Sequence, residues 1–204
     1  MRPGEPIRHP AIVRATHWVT AAATVALIVS GIAILLAHPR LYWGETGGVG
    51  GPALIDLPIP FVMGHSGWGR YLHFLAAWVA VVGGVIYLIH GVVTRHFVKD
   101  VLPSSSDLAP GSYNVTQRGA YTILVFIIGP LVLVSGLAFS PAIASVMPAV
   151  VNMFGGQQSA RTIHFFAGLA VVVFFVGHLA MVWLNGFVAR TRAMITGRAS
   201  TEGS

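Results

Sequence analysis

Between Arg161 and Arg190 the chain runs through 28 residues, 162–189, without a single Asp, Glu, Lys or Arg. An uncharged apolar run of that length exceeds the about 20 residues an α-helix needs to cross a bilayer core, so the segment reads as a membrane-spanning helix. It carries two histidines, His164 and His178. Their separation, 178 − 164 = 14 residues, is nearly four turns, so both imidazoles leave the helix within about 40° of each other. They lie about 21 Å apart along the axis, most of a core of roughly 30 Å, which places one ring near each membrane surface. One helix can therefore serve two sites, one per leaflet. A lone histidine in an apolar helix is more often a packed residue with one satisfied hydrogen bond, so the pair acquires meaning only with partners on other helices.

Three more segments are long enough to span, at 17–36, 71–93 and 120–140, and the fourth apolar run covers 162–188. With 55% hydrophobic and only 9% charged residues among 204, the chain is too apolar for a soluble domain. The expected fold is all-α, an integral membrane four-helix bundle, one transmembrane domain over residues 1–204 with both termini on the same side. The first span is no cleavable signal: some 16 residues precede it and no small-x-small site stands before HPRLYW.

Lys and Arg set the orientation. Arg2, Arg8, Arg14, Arg95, Lys99, Arg118, Arg190, Arg192 and Arg198 fall on one side, and Arg40, Arg70 and Arg161 on the other. The termini and the middle connection are accordingly expected in the cytoplasm, and the net charge of +6 needs no nucleic acid to explain it. The absence of cysteine excludes disulfides, thiolate-held iron-sulfur clusters, zinc-thiolate sites and covalently attached C-x-x-C-H heme. Any redox cofactor must be held by histidine.

The outer connection at 38–69 is 32 residues of Gly, Pro and aromatics, too long for a minimal turn. It is either a docking surface or a loop in the headgroup region anchored by Tyr42, Trp43 and Trp68. The inner connection is a polar linker broken by Pro and Ser. The last outer loop reads as a short amphipathic helix before Gly155-Gly156 turns the chain, and the tail after Arg190 as frayed. The sequence holds no nucleophile-base pair, phosphate loop, carboxylate pair or repeat of domain size.

Three histidines share a local pattern, an arginine three residues earlier: RATHW at Arg14 and His17, RYLHF at Arg70 and His73, RTIHF at Arg161 and His164. At that spacing both side chains lie on one side of a helix, with the arginine a turn nearer water. A heme needs such an arrangement, because its iron takes an axial imidazole from each of two helices while its propionates seek cations at the polar edge. Depth selects the pairs. His73 and His164 open their spans from the outer side and can clamp an outer heme; His17 and His178 lie towards the inner side and can clamp an inner one. The position of span one level with the outer site is 17 + 14 = 31, and Gly31 there lets a flat macrocycle pass close to the backbone. Gly83, Gly84, Gly168 and Gly177 also fall within about a turn of the sites. His90 lies 17 residues beyond His73, about 4.5 Å past the inner iron's level and roughly 100° off the His73 face. It is not expected as a ligand; it either serves a propionate or a quinone, or is an interfacial histidine doing neither.

On RATHW, HPRLYWG, RYLHF, QQSARTIHF, VGHLAMV and ARTRAMITG, nearly the whole chain resembles the bacterial diheme b-type cytochrome family. These are the cytochrome b membrane anchors of periplasmic oxidoreductases, such as the cytochrome b subunits of nickel-iron hydrogenase, formate dehydrogenase and thiosulfate reductase. The resemblance implies two non-covalent heme b (iron protoporphyrin IX), with His17 and His178 matching the ligands of the cytoplasmic heme and His73 and His164 those of the periplasmic one. It implies electron transfer between a periplasmic oxidoreductase subunit and the quinone/quinol pool of the bacterial inner membrane. The HPRLYWG wording is most similar to the branch associated with molybdopterin-dependent oxidoreductases. Two other functions compete: a stand-alone quinone-linked heme oxidoreductase, for example superoxide:quinone, and a heme-free transporter or scaffold, which the arginine-histidine repetition disfavours.

Overall fold

The computed structural model describes residues 10–45, 51–102 and 113–197. Arg2, Arg8, Arg198, the Pro-Ser break of the inner connection and the Gly-rich centre of the outer one lie outside them. In chain order the elements are α1 (Ala11–Ala37), a two-residue hairpin of β1 (Arg40–Leu41) and β2 (Ile55–Asp56), and α2 (His65–Val93). A π-helical turn (Phe97–Val101) precedes α3 (Tyr113–Ile123). A second such turn (Leu124–Ile128) joins α3 to α4 (Gly129–Phe139), and α5 (Pro141–Val146), α6 (Pro148–Met153), α7 (Gln157–Leu184) and α8 (Phe187–Thr196) complete the chain.

Four helices are long and apolar enough to cross a membrane: α1, α2, Gln117–Phe139 and α7. The expected spans are all present, with shifted ends. All four begin earlier than the apolar runs, three of them because a helix continues into its polar flank until a breaker stops it: Pro10 before α1, Gly64 in the left-handed region before α2, and Gly155-Gly156 before α7. The fourth span ends at Leu184, not 188, because Gly186 at φ 94° turns the chain. The tail expected to fray is helical as α8, held by Arg14 and by the Trp18 indole, which donate to the carbonyls of Ile195 and Met194. The third span widens to a π-turn just before Pro130, whose missing N–H and ring clash an ordinary α-turn would not absorb. The last outer loop forms two short helices, α5 and α6, before the Gly155-Gly156 turn.

The helices pack as two pairs, α1 on α2 and α4 on α7. Small residues bring the backbones together: Ala23, Ala33, Ala37 and Ala76 are buried in the first pair, Ala138, Ala160 and Ala167 in the second. A Cβ at Gly69 would stand 3.1 Å from that of Ala33, and one at Gly83 3.2 Å from Thr20 Oγ1. Gly83 is therefore a helix-contact residue of the first pair, while Gly84, Gly168 and Gly177 face open space. Large apolar side chains such as Val25, Ile32, Trp78 and Val173 point outward, as they must where lipid is the solvent.

The hairpin is tied to α7. Leu41 is only 1% exposed, whereas the Arg40–Asp56 pair (3.1 Å) sits in water and adds at most about 1 kcal/mol. Thr162 Oγ1 donates to the Tyr42 carbonyl (2.6 Å), and the Gly44 carbonyl accepts from the N–H groups of Gln158 (3.0 Å) and Ser159 (3.3 Å). Those are first-turn donors of α7 with no partner in their own helix, so the loop serves as the helix's cap.

Candidate functional site

Two histidine pairs face each other across the boundary between the helix pairs. His73 of α2 and His164 of α7 lie at the hairpin end with ring centroids 6.1 Å apart, and His17 of α1 and His178 of α7 at the α8 end with centroids 6.3 Å apart. Two imidazoles bound to opposite sides of one metal at about 2.0–2.1 Å, with ring radii of ~1.1 Å, place their centroids ~6.2 Å apart. Both pairs have that spacing. Each supplies only two donors, and no group of three or more His, Asp or Glu gathers among the described residues. The remaining positions around a metal fall to a macrocycle such as heme, and the donor set fits that group.

The hairpin-end rings are fixed through Nδ1. His73 Nδ1 lies 2.9 Å from Ser30 Oγ on α1; His164 Nδ1 lies 3.0 Å from the Val132 carbonyl and 3.2 Å from Ser135 Oγ on α4. A glycine follows each serine. A Cβ at Gly31 would stand 3.8 Å from His73 Cε1, and one at Gly136 only 3.0 Å from His164 Cε1. Gly31 thus sits beside the outer pair at the expected level. At the other end Tyr121 of α3 places its hydroxyl 3.3 Å from His178 Nδ1, and Phe174 stacks on the same imidazole (6.1 Å, 9°).

Cations collect at the hairpin end. Arg161 donates to the His38 carbonyl (2.6 Å), and Arg70, exposed, donates to the Ser66 carbonyl (3.2 Å). Burial, then the charges of Arg161 and Arg70, lower the pKa of His38 and keep its ring neutral, so the two guanidiniums carry the positive charge there. Arg14 differs from Arg161 and Arg70. Besides its bond to the Ile195 carbonyl it has a buried Nε with no hydrogen-bond partner among the described residues, a donor left over for an acceptor such as a propionate. His90 stands at the end of α2, where its carbonyl accepts from the N–H and hydroxyl of Thr94, and its ring joins neither pair.

The sequence reading missed Ser30, Ser135, Gly136, Tyr121 and Phe174. The first three had a signal in VSGIA (29–33) and VSGLA (134–138), a short repeat whose two copies the fold sets beside His73 and His164.

Residues 8–197 match the prokaryotic cytochrome b561 family. The chain belongs to that family. A similar protein, the putative protein-methionine-sulfoxide reductase subunit YedZ1 of Azospira oryzae, is 33% identical over 214 residues, covering 93% of this chain and 96% of its own. The b-type cytochrome family expected from the arginine-histidine motifs is therefore the one matched. As a prokaryotic cytochrome b561 the protein is a multi-pass bacterial membrane protein that binds heme b and acts in electron transfer.

Proposed function

We propose that this cytochrome holds two hemes b and conducts electrons across the membrane between a periplasmic oxidoreductase and the quinone pool. The observation that carries the reading is the pair of facing histidines at each end, with ring centroids at 6.1 and 6.3 Å. When bound, each heme supplies a one-electron couple, and no bond of a substrate need be made or broken on this chain. His73 and His164 would hold the outer heme, with Arg70 and Arg161 neutralising its propionates; His17 and His178 would hold the inner one, with the spare donor of Arg14 at its edge. Excess Lys and Arg at the α8 end support cytoplasmic termini. His90, at that same surface, would exchange protons with a quinol. The resemblance to YedZ1, a reductase subunit by name, supports a sulfoxide reductase as the partner, of the molybdopterin-dependent type that HPRLYWG suggested.

The outer heme will shift most when Arg161 is neutralised. Losing about 1 kcal/mol of preference for the reduced state lowers a one-electron potential by about 40 mV, and Arg161→Gln should lower the outer heme's potential by that order. Redox titration checks it; a shift confined to the inner heme would contradict the placement. For the partner, Tyr42 and Trp43 on the loop clamped over α7 form the contact surface, Trp43 being 59% exposed. The double variant Tyr42→Ala, Trp43→Ala should slow electron exchange with the reductase about tenfold or more while both heme spectra persist. Unchanged exchange would reduce the loop to a membrane-surface element, and turnover by the purified chain alone would favour a stand-alone enzyme.

A further inference from the structure

VSGIA on α1 and VSGLA on α4 sit in equivalent places. Ser30 and Ser135 are both completely buried, and each hydroxyl has one carbonyl four residues back at 2.6 Å, Ala26 for Ser30 and Leu131 for Ser135. A serine has a single proton, and at that distance it is committed to the carbonyl. The contacts from Ser30 Oγ to His73 Nδ1 (2.9 Å) and from Ser135 Oγ to His164 Nδ1 (3.2 Å) can then be hydrogen bonds only if each imidazole donates. The Val132 carbonyl, which can only accept, demands the same of His164. Proton counting thus fixes both rings as Nδ1–H tautomers, leaving the lone pair on Nε2. The following glycines admit the rings close to the α1 and α4 backbones, so serine and glycine act together as a seat for each imidazole.

The two seats belong to different helix pairs, and they hold the rings crossed, with 72° between the planes of His73 and His164 against 58° between His17 and His178. At the α8 end His178 meets a tyrosine hydroxyl, which can donate or accept.

We infer that Ser30 and Ser135 are a matched pair of positioning residues that hold His73 and His164 as Nδ1–H tautomers with crossed ring planes, and thereby set the potential and electronic symmetry of the outer heme. The inference rests on the proposal that these two histidines are its ligands. An Nδ1–H that donates to an acceptor makes its imidazole the stronger electron donor, which favours ferric iron and lowers the potential. Crossed axial rings act on the two iron dπ orbitals equally and keep them close in energy, which gives a low-spin ferric signal of large g anisotropy. Rings free to turn toward parallel split those orbitals and reduce that anisotropy.

The experiment is redox titration and low-temperature EPR of the full-length protein in detergent, with heme counted per chain, for wild type, Ser30→Ala, Ser135→Ala, the double alanine variant, Ser30→Thr, Ser135→Thr and His73→Ala. In Ser30→Ala and the double alanine variant the outer heme's potential should rise and its lowest-field g feature should move to smaller g, with a smaller change in Ser135→Ala, where the Val132 carbonyl (3.0 Å) still accepts from His164 Nδ1, and the inner heme should stay unchanged. Threonine, which keeps the hydroxyl and its bond to the preceding turn, should restore both signatures. An unaltered potential and g feature in the double alanine variant at full heme content would overturn the positioning role. Retention of both hemes by His73→Ala would instead remove the ligand assignment beneath it, and the inference with it.

Discussion

Substituting His17 or His178 with Ala will remove one heme from each chain, and the heme lost will be the same one in both cases. Each imidazole is half of a facing pair at 6.3 Å, so removing either leaves one axial donor where the low-spin iron of a b-type cytochrome takes two. His90→Ala should keep both hemes and at most slow reaction with quinol, because its ring joins neither pair. The heme count of purified variants, read with the reduced α-band, checks all three. Loss of heme from His90→Ala with retention in His17→Ala would reverse the assignment.

The largest effect on stability is expected at Gly156. Its φ of 117° and ψ of 166° lie in a region essentially confined to glycine, so any other residue costs about 1–3 kcal/mol there. A Cβ would also overlap the Gly44 carbonyl, the oxygen that caps α7 at Gln158 and Ser159. Backbone on both sides cannot give way like a flexible side chain. Gly156→Ala should therefore destabilise by about 3 kcal/mol or more and loosen the loop at 40–45 from α7. Gly67→Ala, inside α2 with nothing within 4 Å of the added methyl, should be neutral or stabilise by up to about 1 kcal/mol. Thermal loss of the outer-heme spectrum in detergent compares them; equal midpoints would refute the close approach of Gly44 to Gly156.

These expectations show which parts of the molecule the sequence displays. Hydropathy marks the four spans because lipid imposes an uncharged run on any crossing helix, and the 14-residue step from His164 to His178 survives folding because a helix converts sequence spacing directly into height and angle. Helix ends are less visible. Arg14, Arg70 and Arg161 interrupt the apolar pattern without interrupting the helix, and only Pro10, Gly64 and the glycines at 155, 156 and 186 mark the real boundaries. The tail misled for a related reason: α8 is polar enough to suggest fraying, and what orders it is a contact with Arg14 and Trp18, 176 or more residues away in sequence. Residues around the rings were hidden in the same way. Tyr121 reaches His178, and Ser135 reaches His164, from a helix whose packing partner no local pattern names. Gly31, beside His73, could be singled out in the sequence because it stands 14 residues from His17 on its own helix; Gly136 has no histidine on its helix to measure from.

The number of hemes per chain tests the central claim most directly. A pyridine hemochrome assay of the purified full-length protein, set against amino-acid analysis, should give about two hemes b, both removed by acid-acetone extraction because no cysteine is available to bind them covalently. One heme per chain would mean that one of the two histidine pairs is only a packing contact, and none would leave the facing imidazoles without the role assigned to them.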